Sequence, residues 1–431
     1  MNPSRYDLPV SAFLRIAFAA LSASITFTLA AILLPSVFGQ YVFALTLITL
    51  ITIPVQKGCV NLIIRELSRV EKQNYIRTYG SLIVWLSVNI ISISTISGVV
   101  IFLLYKTGVL TIDISGLRVL GVAWVISFST SVCAVISAIL RSSGRVHLGQ
   151  LPEFFFRQFI FLLAIFVLLF FVGYKLKYLS SVLQVYALSG LAAVLCSFVV
   201  LLISSLHRRI HFRQIDMQLW GAWYGSMFSL SLVGGMVVLQ SNVDIIMISQ
   251  LASFEDVAVY KLSISIVALT QFGHNAVLSA RSQRFASLYF SENLAGLERE
   301  AISASRFATG FGFISFFVVL ILLLAYSSIF SLYEYEGILV PFLILFAGQL
   351  LSLLLGPCSI ILNMTGHEKR NLIASLFGIV SNVIGNYILV PALGVIGAAL
   401  ATAFSILVWK FVTYRMLRSA IGIDTMAFRN I

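Results

Sequence analysis

The sequence predicts an all-α integral membrane protein of twelve transmembrane helices, arranged as two parallel-repeat six-helix lobes around a central cavity, with the N and C termini cytoplasmic. Three observations predict it. Of 431 residues, 60% are hydrophobic and 10% charged, with a mean hydropathy of +1.02, a composition that excludes an ordinary soluble domain. Apolar windows of bilayer-crossing length recur between charged or Pro/Gly breaks, and none alternates as a membrane strand would. Finally, the second half repeats landmarks of the first in the same order.

The opening stretch "MNPSRYDLPVSAFLRIAFAALSASITFTLAAILLPSVFG" places Arg5 and Arg15 ahead of an apolar run too long for a signal-peptide core and without a convincing cleavage site. It is expected to be a retained first span. The spans are expected near 12 to 34, 41 to 63, 79 to 104, 118 to 140, 154 to 173 and 182 to 205, then near 222 to 249, 257 to 280, 306 to 327, 338 to 362, 371 to 391 and 394 to 414. Hydrocarbon leaves a broken backbone hydrogen bond no water to turn to, so each is expected to be a helix.

Charge orients them. The segments on the side of the N-terminus, including "IRELSRVEKQNYIRTYG", "LRSSGRVHLGQLPEFFFR" and "HRRIHFRQID", carry 22 of the 28 lysines and arginines with their helix ends, which makes that side cytoplasmic. The opposite side has Lys106, Arg118, Lys175, Lys177 and Lys261, and Lys57 falls within a span. The net charge of +12 is thus scattered over helix ends, fitting anionic lipid and topology rather than nucleic acid. The longest connection, "ARSQRFASLYFSENLAGLEREAISASR", is expected to be a cytoplasmic amphipathic surface segment, which leaves no room for an extramembrane domain. Cys59, Cys133, Cys196 and Cys358 lie in apolar spans without CxxC spacing and are expected to be small buried hydrophobes.

The repeat is explicit in three places. Residues 38 to 67 align without gaps on 257 to 286, matching Tyr41 to Tyr260, Leu50 to Leu269 and Arg65 to Arg284. "ILRSSGRVHL" at 139 aligns on "ILNMTGHEKR" at 361, with Gly144 on Gly366, and "SGLAAVL" at 189 on "IGAALAT" at 396. Lobes at 1 to 206 and 222 to 431, joined by a basic linker at 207 to 221, follow. Six is an even number, so both halves start in the cytoplasm, the arrangement with which transporters build a cleft between two rocking lobes.

Within "IPVQKGCVNLIIREL", Lys57, Asn61 and Arg65 recur every four residues on one helix face, and Lys57 lies about 12 Å inward from Arg65 at the cytoplasmic end. A cation inside a span is costly enough to be a functional-site candidate, the alternative being a side chain that snorkels to the headgroups. The equivalent stretch of span eight carries Gln271, His274, Asn275, Ser279, Arg281 and Arg284. These two stripes are expected to line opposite walls of a cationic cavity open to the cytoplasm. Arg15 either joins them or snorkels. Such a cavity suits an anion, phosphate foremost.

Asp244 is the only carboxylate clearly inside a span. It is a candidate for a coupling proton or cation, with a structural alternative in which it caps polar groups or pairs with Lys261. His207 and His211 have metal-ligand spacing but sit among arginines beside the membrane, so headgroup contact is expected and no metal site. Gly221 with Gly225, and Gly397 with Ala401 and Ser405, are spaced for close helix packing; Asn382 and Asn386 for interhelical hydrogen bonds; Pro54, Gly273 and Pro357 for kinks.

The stretches "VFGQYVFALTLITL", "NVDIIMISQLASFEDVAVYKLS" and "LNMTGHEKRNLIASLFGIVSNVIGNYILVPALGVIGAALATAFS" resemble the polysaccharide-unit flippases, O-antigen type, of the multidrug/oligosaccharidyl-lipid/polysaccharide exporter superfamily. The resemblance implies transport of an undecaprenyl-pyrophosphate-linked oligosaccharide from the cytoplasmic to the periplasmic leaflet of a bacterial inner membrane. It also implies two six-helix lobes around a cationic cavity, no enzymatic activity and no cofactor, and alternating access driven by a proton or sodium gradient. Membrane lipids and the polysaccharide polymerase and chain-length proteins are the implied partners, and a monomer the implied state. Asp244 matches the aspartate of the family's seventh-span pattern; "VAVY" departs from it where a glycine is usual before Tyr260.

Two other functions compete. A drug exporter of the same superfamily would accept amphipathic cations and favour an acidic cavity, whereas here several bases face one deep acid. A membrane-embedded polysaccharide polymerase would need a sizeable outer loop with catalytic groups, and Asp113, Glu255, Asp256, Glu334 and Glu336 lie in short, scattered loops.

Overall fold

The structure is a computed structural model and describes residues 7–69, 75–110, 116–143, 145–170, 178–204, 217–329 and 337–428. Every regular element among them is a helix, and the chain packs as two compact units, Met1–Leu239 and Gln240–Ile431.

The first unit contains α1 (Asp7–Ile32), α2 (Pro35–Ile51), a π-helical turn (Pro54–Cys59), α3 (Val60–Arg69), α4 (Tyr75–Lys106) and α5 (Gly116–Ser142). It continues with α6 (Val146–Gln150), a second π-helical turn (Leu151–Phe156), α7 (Arg157–Phe170), α8 (Leu179–Ile203) and α9 (Gln218–Gln240). The second unit contains α10 (Val243–Leu251), α11 (Phe254–Phe290), α12 (Leu294–Ile329), α13 (Leu339–Leu354), α14 (Cys358–Met364) and α15 (Glu368–Ile421). Among the described residues six helices are each long and apolar enough to cross a bilayer, and two bent pairs are so when each is taken together. Counting α1, α7, α11 and the two arms of α15 separately recovers the twelve expected crossings in order.

Breaks in these spans are where the physics is visible. Proline has no N–H and its ring collides with the preceding turn, so Pro54 opens a π-helical turn and a 50° bend between α2 and α3. Lipid cannot satisfy the loosened polar groups. Thr52 Oγ1 donates instead to Ile48 O at 2.7 Å and accepts from Gln56 Nε2 at 2.7 Å. α9 packs directly on this turn. A Cβ added at Gly58 would collide with Ser231 Oγ and lie 2.7 Å from Met227 O, and one at Gly234 would lie 2.7 Å from Lys57 Cβ. Below the turn, Trp85 anchors the core edge-on against Trp223 and Tyr224, with ring centroids 5.7 and 5.2 Å apart.

That packing places α9 in the first compact unit, which ends at Leu239. α9 opens the second sequence repeat, yet it belongs to the first unit through Trp223, Met227, Ser231 and Gly234. The glycines that permit the approach are also not the expected ones: Cβ atoms at Gly221 and Gly225 would have no neighbour within 4 Å, because those positions point away from the turn. Gly397 and Ala401 do pack closely, against Leu389 and Gly385 in the other arm of α15.

In the second unit, the segment expected to lie along the membrane surface is a helical hairpin. α11 runs unbroken through Gly273 to Phe290, and α12 begins at Leu294 after a turn in which Glu292 adopts φ 57°. The apolar face of each extension is covered by the other helix, with Phe285, Leu297 and Ala301 fully buried, so no lipid surface is needed. Among the cysteines, Cys59, Cys133 and Cys358 are buried as expected and Cys196 is exposed, on the outside of α8.

Two further breaks shape this unit. α13 and α14 meet at 51° around Gly356, whose φ of +86° suits glycine. The segment after α15 folds back over this break: Ala427 N donates to Leu354 O at 3.0 Å and Thr425 Oγ1 to Leu355 O at 2.7 Å. α12 holds the same segment, through Ser305 Oγ to Thr425 O at 2.7 Å and Arg306 Nε to Ala427 O at 3.0 Å. The arms of α15 fold about Gly394, at φ 53° and ψ −132°, three residues after Pro391.

Gly58→Leu is expected to push α9 off the π-helical turn and lower stability by about 1 to 3 kcal/mol, read as a lower melting temperature of the purified protein, while Gly221→Leu leaves it unchanged.

Candidate functional site

Lys57 sits inside the π-helical turn, half-buried, with its stem laid against Gly234 of α9. Among the described residues it has no hydrogen-bond or ion-pair partner. Of the rest of its stripe, Asn61 is exposed on α3, and Arg65 bonds Ser226 Oγ of α9 at 2.9 Å and pairs with Glu66 at 3.0 Å. The stripe is therefore graded: Arg65 is paired with a carboxylate and Lys57 is not. Arg15 lies on α1, with its side chain outside the described residues.

The span-eight stripe has a different character. Arg281 and Arg284 both reach Glu300 of α12, at 3.4 and 3.2 Å, and Arg281 also donates to Ser303 at 3.2 Å and lies over the Phe307 ring. Glu300 thus offsets one of the two charges. α11 passes through His274 and Asn275, whose side chains lie outside the described residues, as do His207 and His211.

Asp244 is the hub of a buried polar cluster. Its Oδ1 accepts from Asn382 Nδ2 at 2.8 Å, Asn386 Nδ2 at 2.7 Å and Thr402 Oγ1 at 3.0 Å, and its Oδ2 from Tyr260 OH at 2.7 Å. Four helical segments are tied together, because α10, α11 and both arms of α15 each contribute. The expected interhelical bonds of Asn382 and Asn386 are thus made, to the carboxylate; Lys261 is not among its partners. Asn386 Oδ1 is buried beside it without a hydrogen bond.

Sequence reasoning missed Arg157. Sequence reasoning counted it with the cytoplasmic helix ends; it opens α7, on a helical path that begins at Val146, about 16 Å before it at 1.5 Å per residue. Its Nη1 donates to Thr130 Oγ1 in the middle of α5 at 2.6 Å, and its guanidinium lies over the Tyr186 ring of α8 at 5.4 Å. The signal available was its setting in "EFFFRQFIFLL", an arginine flanked by apolar residues on both sides.

Replacing Asp244 by Ala strands four donors where no water can reach them, and is expected to lower the stability of the second unit by about 2 to 4 kcal/mol. Thermal melting of the purified protein checks this, with Asp244→Asn, which keeps one acceptor, falling between.

No protein-family model matches the chain, and no curated protein matches it in sequence. Solved structures do match in fold. The chain is similar to lipid II flippase MurJ in an inward closed conformation, with a TM-score of 0.72 and 12% identity over 95% of this chain and 87% of that one. It is similar to an inward-facing multidrug resistance MATE family transporter of the MOP superfamily, with a TM-score of 0.65 and 14% identity over 95% and 98%. A third is a MOP superfamily transporter from Pyrococcus furiosus whose binding pocket is described as of reverse polarity, with a TM-score of 0.54 and 15% identity over 96% and 93%. The chain has the all-α, twelve-helix membrane fold of these proteins.

Proposed function

We propose that the chain is a flippase that moves undecaprenyl-pyrophosphate-linked oligosaccharide repeat units from the cytoplasmic to the periplasmic leaflet of the bacterial inner membrane, by alternating access, for O-antigen or capsular polysaccharide synthesis. The observation that carries this reading is Lys57, a cation within the membrane held by a proline-started turn and lacking a partner among the described residues. A pyrophosphate entering hydrocarbon needs its charge met there, and a lysine acts as a point charge for it. Arg65 and the paired Arg281 and Arg284 lie toward the C-terminal ends of their helices, which the reading puts on the cytoplasmic side, where the head group would arrive. His274 and Asn275 complete the proposed route, with Arg15 on the first span.

Asp244 is proposed to take the coupling ion, a proton or sodium. An oxygen-rich pocket of one carboxylate, the Thr402 hydroxyl and the Asn386 carbonyl oxygen left without a donor is chemistry that a small hard cation accepts. The energy for moving the cargo outward would enter there, because binding or releasing a charge alters how strongly the four helical segments are held together. The fold is shared with a lipid II flippase and with MATE transporters. Between those cargo classes, charge favours the anionic lipid: Lys57 and Arg157 would repel an amphipathic cation. The periplasmic polymerase and chain-length proteins would then take up the flipped unit.

Cells lacking this chain are expected to accumulate lipid-linked oligosaccharide on the cytoplasmic leaflet, and the wild-type gene to relieve it. Lys57→Ala is expected to fold and fail to relieve it, and Lys57→Arg to relieve it in part. Normal periplasmic display without the chain would reject the flippase reading. Relief by Lys57→Ala would reject the role of Lys57.

A further inference from the structure

Both π-helical turns of the first unit carry a proline in their first two positions and present a cation: Pro54 opens the turn that contains Lys57, and Pro152 is the second residue of the turn that ends immediately before Arg157. Such turns are rare and are kept mostly where a side chain must be re-aimed for function. Arg157 is aimed at the space among α2, α5 and α8. Its Nη1 is held by Thr130, and Tyr186, which supports its face, is itself braced edge-on by Phe161 at 4.8 Å and by Tyr41 at 6.2 Å. Its Nε, in contrast, is buried with no hydrogen-bond partner, and no carboxylate pairs with the guanidinium among the described residues.

An arginine has five N–H groups, and leaving one edge of that fork desolvated without an acceptor is costly in a medium that offers no water. The fork matches two oxygens of a single oxyanion. Because the arrangement fixes the cation from two sides and leaves the third edge unanswered, the site is built for a ligand rather than for bracing alone.

We propose that Arg157, backed by Thr130, Tyr186 and Tyr41, is a binding site for an oxyanion carried by the cargo, either the carboxylate of an acidic sugar or a phosphate oxygen. The assignment to cargo rests on the flippase reading; the anion site itself does not.

The test uses the purified full-length protein, melted in sodium glucuronate, sodium pyrophosphate or sodium chloride at matched ionic strength. One oxyanion or both is expected to raise the wild-type melting temperature by about 3 °C above chloride. The rise is lost in Arg157→Gln and kept in Lys106→Gln, a substitution at an exposed lysine that ends α4. In Arg157→Lys the anion concentration giving half the rise increases about 10-fold, because an ammonium has no fork. A rise with glucuronate alone assigns the site to a sugar carboxylate, and with pyrophosphate alone to a phosphate. No rise with either anion, or a rise that survives in Arg157→Gln, overturns the proposal. Where Arg157→Gln does not fold, an unshifted half-point in Arg157→Lys overturns it. A chain that shows the Arg157-dependent rise but moves no lipid-linked oligosaccharide keeps the anion site and loses only the flippase reading.

Discussion

In hydrocarbon a polar group has only protein to bond to, and two of the breaks among the described helices are answered by specific internal partners. The bend at Pro54 is closed by Thr52 and Gln56, and the bend at Gly356 by Thr425 and Ala427. The carboxylate of Asp244 gathers four donors from α10, α11 and the two arms of α15. Had those donors faced lipid, each would cost more than a surface hydrogen bond is worth. Bends of this kind are thus affordable only where a side chain is spent on them, which is why they concentrate at so few places.

The two repeats use equivalent positions for opposite purposes. Tyr260 directs its hydroxyl at a carboxylate, while its counterpart Tyr41 packs against Tyr186, the ring on which an arginine lies. One tyrosine thus borders a carboxylate, and the other a ring that carries a guanidinium on its face.

Most of the fold was legible because its signal is length and hydropathy: the helical crossings and the buried asparagines Asn382 and Asn386 follow from spacing. What was not legible depends on packing. Gly221 and Gly225 carry the four-residue spacing that signals close packing and Gly234 and Gly235 do not, yet the crossing of α9 over the π-helical turn falls on the second pair. The hairpin of α11 and α12 looked like a surface segment because its charges read as a membrane boundary, whereas Glu300 pairs them across the two helices. Arg157 was hidden by the start of its helix at Val146, which lies one turn inside a stretch dense in charge and Gly.

The central claim, that a cation in the first unit carries an anionic lipid head across the bilayer, is tested most directly in liposomes. The purified protein is reconstituted with a polyprenyl-pyrophosphate-linked sugar bearing a fluorophore that a membrane-impermeant reductant bleaches from outside. The account predicts bleaching beyond the outer-leaflet fraction with the wild type, faster under an imposed proton or sodium gradient, and none beyond it with Lys57→Ala. Bleaching equal to that of protein-free liposomes, or equal in wild type and Lys57→Ala, would contradict it.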